Sequence, residues 1–151
     1  MGYYIRFFDT SETPLTIGEI ETALREVDPG YRLEAPEAAT IPQADLYLRD
    51  GLYAEIEINE PGEGLFEDEI AEMLEFLEDA EGKARKRVEH VLKGARRIVS
   101  VRVLGQGRDT ETTLAGIDPL WKWLFSRRPG LLQADGEGYY DADELILEES
   151  R

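Results

Sequence analysis

The stretch ADLYLRDGLYAEIEIN, residues 44–59, constrains this chain more than any other. It is two runs of alternating apolar and polar residues joined by Asp50-Gly51. An Asp-Gly pair between alternating runs predicts a β-hairpin with a type I′ turn, because that turn needs positive φ at both central residues. In the second run Ala54, Ile56 and Ile58 share one face, and Glu55 and Glu57 share the other. A sheet with one apolar face and one polar face follows at this place.

The other elements arrange themselves around that hairpin. YYIRFFD (3–9) is aromatic and β-branched and reads as a strand. Thr16 with Glu19 three residues on forms a capping box, and Ile17, Ile20, Leu24 and Val27 line one face of the helix it starts. Residues 31–35 read as a short strand. Helices are expected over about 65–79 and 83–97, then a strand over 98–104. Asp118-Pro119 has the N-cap and N1 chemistry of a new helix start, and the helix carries Trp121, Leu124 and Phe125 inward. Short strands at 131–134 and 144–148 complete the order β-α-β-β-β-α-α-β-α-β-β. That order predicts a single α+β domain over residues 1–151, with an antiparallel or mixed sheet and helices mainly on one face.

Charge narrows the function classes. There are 33 acidic and 17 basic residues, for a net charge of −16. Such a surface repels phosphate backbones, so nucleic acid is not the expected partner, and a basic protein is. The chain has no cysteine, which excludes disulfides, zinc-thiolate sites and cysteine nucleophiles. The N-terminal residues show neither a basic segment nor a long apolar run, so no signal peptide, membrane span or membrane partner is expected. The cytoplasm is the expected compartment.

Motifs for bound groups fail on spacing. GLLQADGEGYYDADELIL holds five carboxylates within DGEGYYDADE. An EF-hand loop needs oxygen ligands at positions 1, 3 and 5, glycine at 6 and glutamate at 12. Counted from Asp135, positions 5 and 6 are Tyr139 and Tyr140. Counted from Asp141, they are Leu145 and Ile146. A weaker metal site from Asp135, Glu137, Asp141 and Asp143 is the chemical alternative to two turns, with DGEG supplying positive-φ glycines for a bulge and DADE leading into the last strand. Gly105 and Gly107 in VLGQGRDTE lack the third glycine of a dinucleotide fingerprint, where Thr110 stands, and no Gly-Lys-Ser/Thr run is present. No cofactor is therefore expected. The single histidine, His90, lies nearly opposite the helical face of Ala84, Val88, Val91, Leu92 and Ala95, which places it on the surface.

The two central helices are oppositely charged. From Glu55 to Glu81 there is no Lys or Arg, whereas Lys83–Arg102 contains eight and a single acid, Glu89. On the first helix Phe66, Ile70, Met73, Leu74 and Leu77 form the inward stripe, and Asp68, Glu72, Glu75 and Asp79 the outward one. On the second, Lys86, His90, Lys93 and Arg97 form the outward stripe. Like charges at i,i+4 each cost about 0.2–0.5 kcal/mol. Pairing between the flanks, such as Glu78 with Arg85 or Arg87, is one way to relieve that repulsion. The other is a docked partner, either a basic protein or a second copy of the chain in a weak two-fold dimer whose acidic and basic stripes meet.

YYIRFFDT near the start and LWKWLFSRRPGLLQADGEGYYD near the end resemble segments of small bacterial proteins that have no assigned function. The resemblance implies a bacterial, cytoplasmic, single-domain protein and carries no activity, cofactor or site residue. The leading expectation is a non-enzymatic protein-binding module, inhibitor- or immunity-like, working through its charged helix faces. The alternative is a metal-assisted hydrolase using the acids of the C-terminal stretch.

Overall fold

A computed structural model describes residues 3–149. Its strands are β1 (Tyr3–Asp9), β2 (Tyr31–Glu34), β3 (Gln43–Leu48), β4 (Gly51–Asn59), β5 (Arg97–Val103), β6 (Gly130–Ala134), β7 (Gly138–Asp141) and β8 (Glu144–Glu148). Its helices are α1 (Ile17–Val27), α2 (Phe66–Phe76), α3 (Lys83–Gly94) and α4 (Thr110–Arg127). All eight strands join one sheet in the order β2-β3-β4-β5-β1-β6-β7-β8. Every neighbouring pair is antiparallel. The α+β class and the antiparallel sheet agree with the sequence, as does the element order, to which β7 adds one strand.

The helices cover both faces, where the sequence pattern placed them mainly on one. Adjacent residues in the central strands are buried on opposite sides. Phe7, Val99 and Val101 pack with α1 and α4 through Ile20, Leu24, Leu120 and Leu124. Phe8 and Ile98 pack with α2 and α3 through Phe66, Met73, Val88 and Leu92. Strands β1 and β5 are thus covered on both sides and read as nearly continuous apolar runs, as doubly covered strands do.

Local chemistry sets the element ends. The Thr16–Glu19 capping box forms, with Glu19 N–H donating to Thr16 Oγ1 and Thr16 N–H to Glu19 Oε1, both at 3.1 Å. Val27, expected on the buried face of α1, sits in its last position and is 64% exposed. The hairpin turn is centred one residue earlier than expected. Leu48 pairs with Gly51, and Arg49 takes the positive φ of 55°. Gly51 instead opens β4 beneath Arg108, whose Nη1 lies 3.0 Å from where a Cβ would stand.

Helix α4 does not restart at Pro119. It begins at Thr110, capped by Asp109 Oδ1, which accepts from Thr112 N–H at 2.7 Å, and it runs through the proline. Pro119 removes the amide that would bond the Ala115 carbonyl. At the next carbonyl, Gly116, the buried Tyr31 hydroxyl donates at 2.7 Å. A side chain from the sheet thus anchors the helix one residue beyond the carbonyl that the proline leaves without its amide, and the helix continues into Trp121 and Leu124.

Candidate functional site

Helix α2 starts without a side-chain cap. Asn59 Oδ1 accepts from Leu65 N–H at 3.3 Å, and Glu67 reaches back to Gly62 N–H at 2.9 Å. Glu67, Asp68 and Glu69 fill the first turn, where the helix dipole favours negative charge. The apolar stripe then faces inward as expected: Phe66, Met73 and Leu77 are buried, and Ile70 and Leu74 pack partly beside them.

The outward acids are exposed and unneutralised. Asp68, Glu72 and Glu75 lie on α2, and Asp79 follows in the turn beyond it. Among the described residues none of the four side chains makes an ion pair or hydrogen bond. The expected flank pairing with α3 does not form. Arg85 binds Glu89 at 3.0 Å and the Leu77 carbonyl at 3.3 Å, while Arg87 crosses to Asp141 at 2.7 Å.

The basic stripe is weaker than the sequence suggested. Lys86 and His90 are exposed on α3. Lys93 pairs with Glu89 at 3.2 Å, and its bond, followed by the charge of Arg85, holds the Glu89 carboxyl below the usual range. Arg97 is not on the helix. The helix ends at Gly94, so Arg97 opens β5, where it is buried against Asp9 at 2.7 Å and Glu60 at 3.1 Å. The stripe spacing that would match a two-fold partner therefore loses its last member.

Beside the acidic stripe lies a cleft of about 600 Å³ between α2 and the second face of the sheet. Its floor carries Tyr4 and Arg6 of β1, Glu55 and Glu57 of β4, and Ser100 and Arg102 of β5. Leu65, Glu69 and Glu72 form its lip. Both floor arginines are neutralised within the chain. Arg6 contacts Glu69 and binds Asp135 at 2.8 Å and Gln133 at 2.7 Å, and Arg102 binds Glu55 at 2.9 Å. Asp45 and Glu57 on the floor and Glu72 on the lip have no such partner among the described residues. The cleft and the helix stripe form one negative face, with Leu65 exposed at its margin. Sequence periodicity shows the stripe; it does not show the cleft, which depends on β1, β4 and β5 being neighbours.

The C-terminal acids do not converge. Asp135 is occupied by Arg6 and by the Tyr4 amide, and Asp141 by Arg87. Glu137 accepts a phenol on each oxygen, from Tyr3 at 2.5 Å and Tyr140 at 2.6 Å. Glu137 and Asp143 line a groove on the α4 side whose lining includes neither Asp135 nor Asp141. The glycines serve turns. Gly136 and Gly138 have φ of 79° and 137°, and a Cβ on Gly138 would overlap the Leu147 carbonyl at 2.1 Å. Among the described residues, no group of three or more His, Asp or Glu side chains is placed to hold a metal ion.

Comparison finds no matching family model, no matching curated protein and no matching solved structure. Among the described residues no helix is long and apolar enough to cross a membrane.

Proposed function

We propose that this chain is a non-enzymatic binding module that docks a basic protein on the negative face formed by α2 and its adjoining cleft, in the manner of an acidic inhibitor or immunity protein. One observation carries the reading. The arginines next to this face, Arg6 and Arg102 in the cleft and Arg85 and Arg87 on α3, are consumed by partners inside the chain, while the side chains of Asp68, Glu72, Glu75, Asp79, Asp45 and Glu57 are left without one. Like charges along α2 oppose the helix by about 0.2–0.5 kcal/mol per i,i+4 pair, and a basic partner removes that penalty. The net charge of −16 adds long-range attraction, which speeds encounter more than it deepens affinity. Leu65, exposed at the margin of the face, adds apolar area to the contact. With no cysteine in the chain, the module suits a reducing cytoplasm.

Affinity capture from a lysate of the native host, at low and high salt, tests this. The immobilised chain is expected to retain a basic protein that is released as salt rises, and Glu72→Lys with Glu75→Lys abolishes retention. Equal retention by the reversed chain contradicts the proposal.

A further inference from the structure

On the other side of the sheet, α4 and the β6–β7 end enclose a groove of about 410 Å³. We propose that it binds an organic ammonium compound with an apolar body, independently of the acidic face opposite.

The walls are apolar and already fixed. Leu114, Trp121 and Phe125 project from one side of α4 towards Ile5 and Leu132 on the sheet, with Tyr3 and Tyr140 at the edge. Phe125 is braced edge-on against Phe7, with centroids 5.1 Å apart and an interplanar angle of 87°. The two phenols are tied to Glu137 at 2.5 and 2.6 Å, so their rings are held in place before any ligand arrives. A rigid aromatic groove of this volume is the usual form of a small-molecule site, and a cation over such rings gains from their negative faces.

The polar groups at the mouth select the charge. Asp118, Glu137 and Asp143 face Lys122 alone. Neither the Asp118 nor the Asp143 carboxylate has a hydrogen bond or ion pair among the described residues. Desolvation raises the Asp118 pKa; Lys122 opposes the rise and Asp143 adds to it. Three carboxylates against one ammonium favour a cation over an uncharged or anionic ligand of the same shape. The C-terminal stretch YYDAD thereby acquires a role that metal spacing does not give it: Tyr140 supplies wall and Asp143 supplies charge.

The test uses the full chain with phenylpropylamine, phenylpropanol and phenylpropanoate at neutral pH and constant ionic strength, followed through the indole N–H resonance of Trp121. Saturable shifts at Trp121 are expected, with the amine about tenfold tighter than the alcohol, as a cation–π contact plus carboxylate attraction implies. The acid should bind weakest, and Asp118→Asn with Asp143→Asn should bring amine and alcohol together. An alcohol binding as tightly as the amine, or shifts that never saturate or that centre away from Trp121, would overturn the proposal. That comparison of ligands decides the matter in the unaltered chain even where the double variant fails to fold.

Discussion

Asp9 Oδ2 accepts from Arg128 Nη1 at 2.7 Å at a position where Asp9 has no solvent exposure, and the same oxygen accepts from Arg97 Nη1 at 2.7 Å. Arg128 also donates to the carbonyls of Thr13 and Pro14, both at 2.7 Å, so the pair ties the end of β1 to the loop that enters α1. Removing Asp9 leaves two buried guanidinium groups short of an anion. Asp9→Ala is expected to cost about 3–5 kcal/mol in urea unfolding, because breaking a buried pair strands its charge. Glu60 binds Arg97 from a half-exposed position, and Glu60→Ala should cost at most about 1 kcal/mol. Equal costs for the two variants would show that burial does not govern this cluster.

Gly116 separates two opposing effects. Alanine improves helix propensity by about 1 kcal/mol. Its Cβ, however, would lie 2.4 Å from Tyr53 Cε2, and the Tyr53 ring is stacked under Arg108 with 3.7 Å from guanidinium carbon to centroid. Overpacking costs about 1–3 kcal/mol, so the clash wins and Gly116→Ala should lower the melting temperature. Tyr31→Phe, which removes the hydroxyl donor to the Gly116 carbonyl, should lower it as well, by the about 0.5–1.5 kcal/mol of one lost hydrogen bond. A Gly116→Ala protein more stable than the original would contradict the assigned packing.

The Glu137 clamp predicts an alkaline titration. The hydrogen bond to Glu137 and, after it, burial push the Tyr140 phenol up to about 12. Tyr3 is raised further, by burial first and then by the same carboxylate. The folded chain thus holds these protons more tightly than the unfolded chain, whose phenols titrate near 10. The resulting stabilisation is fully present below about pH 10 and is lost as pH rises towards 12. Ultraviolet titration of Glu137→Gln should show Tyr140 ionising closer to the ordinary value. An unchanged curve would mean that the clamp does not exist in solution.

Much of the fold was legible because its local signals act alone. The Thr16–Glu19 box forms between neighbours in sequence, and the Ala54, Ile56, Ile58 alternation needs only one buried face. What escaped depends on distant residues. Asp50-Gly51 has the composition of a turn, yet Gly51 is needed where Arg108 crosses the strand. Pro119 reads as a helix start, and the hydroxyl beside the interruption comes from Tyr31, on another element. Strand β7 hides between two turns because only its pairing with β6 and β8 makes Tyr139 and Tyr140 a strand. The consecutive Phe7-Phe8 and Ile98-Val99 did signal covering on both faces, a sign that a count of hairpins and helices passes over. At the candidate site the α2 stripe is a helical period and was visible. The place of Arg97 turned on α3 ending at Gly94, and the aromatic groove exists only once α4 meets the sheet.

Association rates separate recruitment of a basic partner by the α2 face from attraction by net charge alone. The captured partner is measured against three chains across a salt series: the original, Glu72→Lys with Glu75→Lys, and a control of equal charge, Glu26→Lys with Glu111→Lys, whose sites are exposed on α1 and α4 across the sheet. The α2 reversal is expected to slow association at low salt by about tenfold or more and to flatten its salt dependence, while the control stays close to the original. Equal slowing by both reversals would contradict recruitment by that face, leaving the acids of α2 as a solvated helix face.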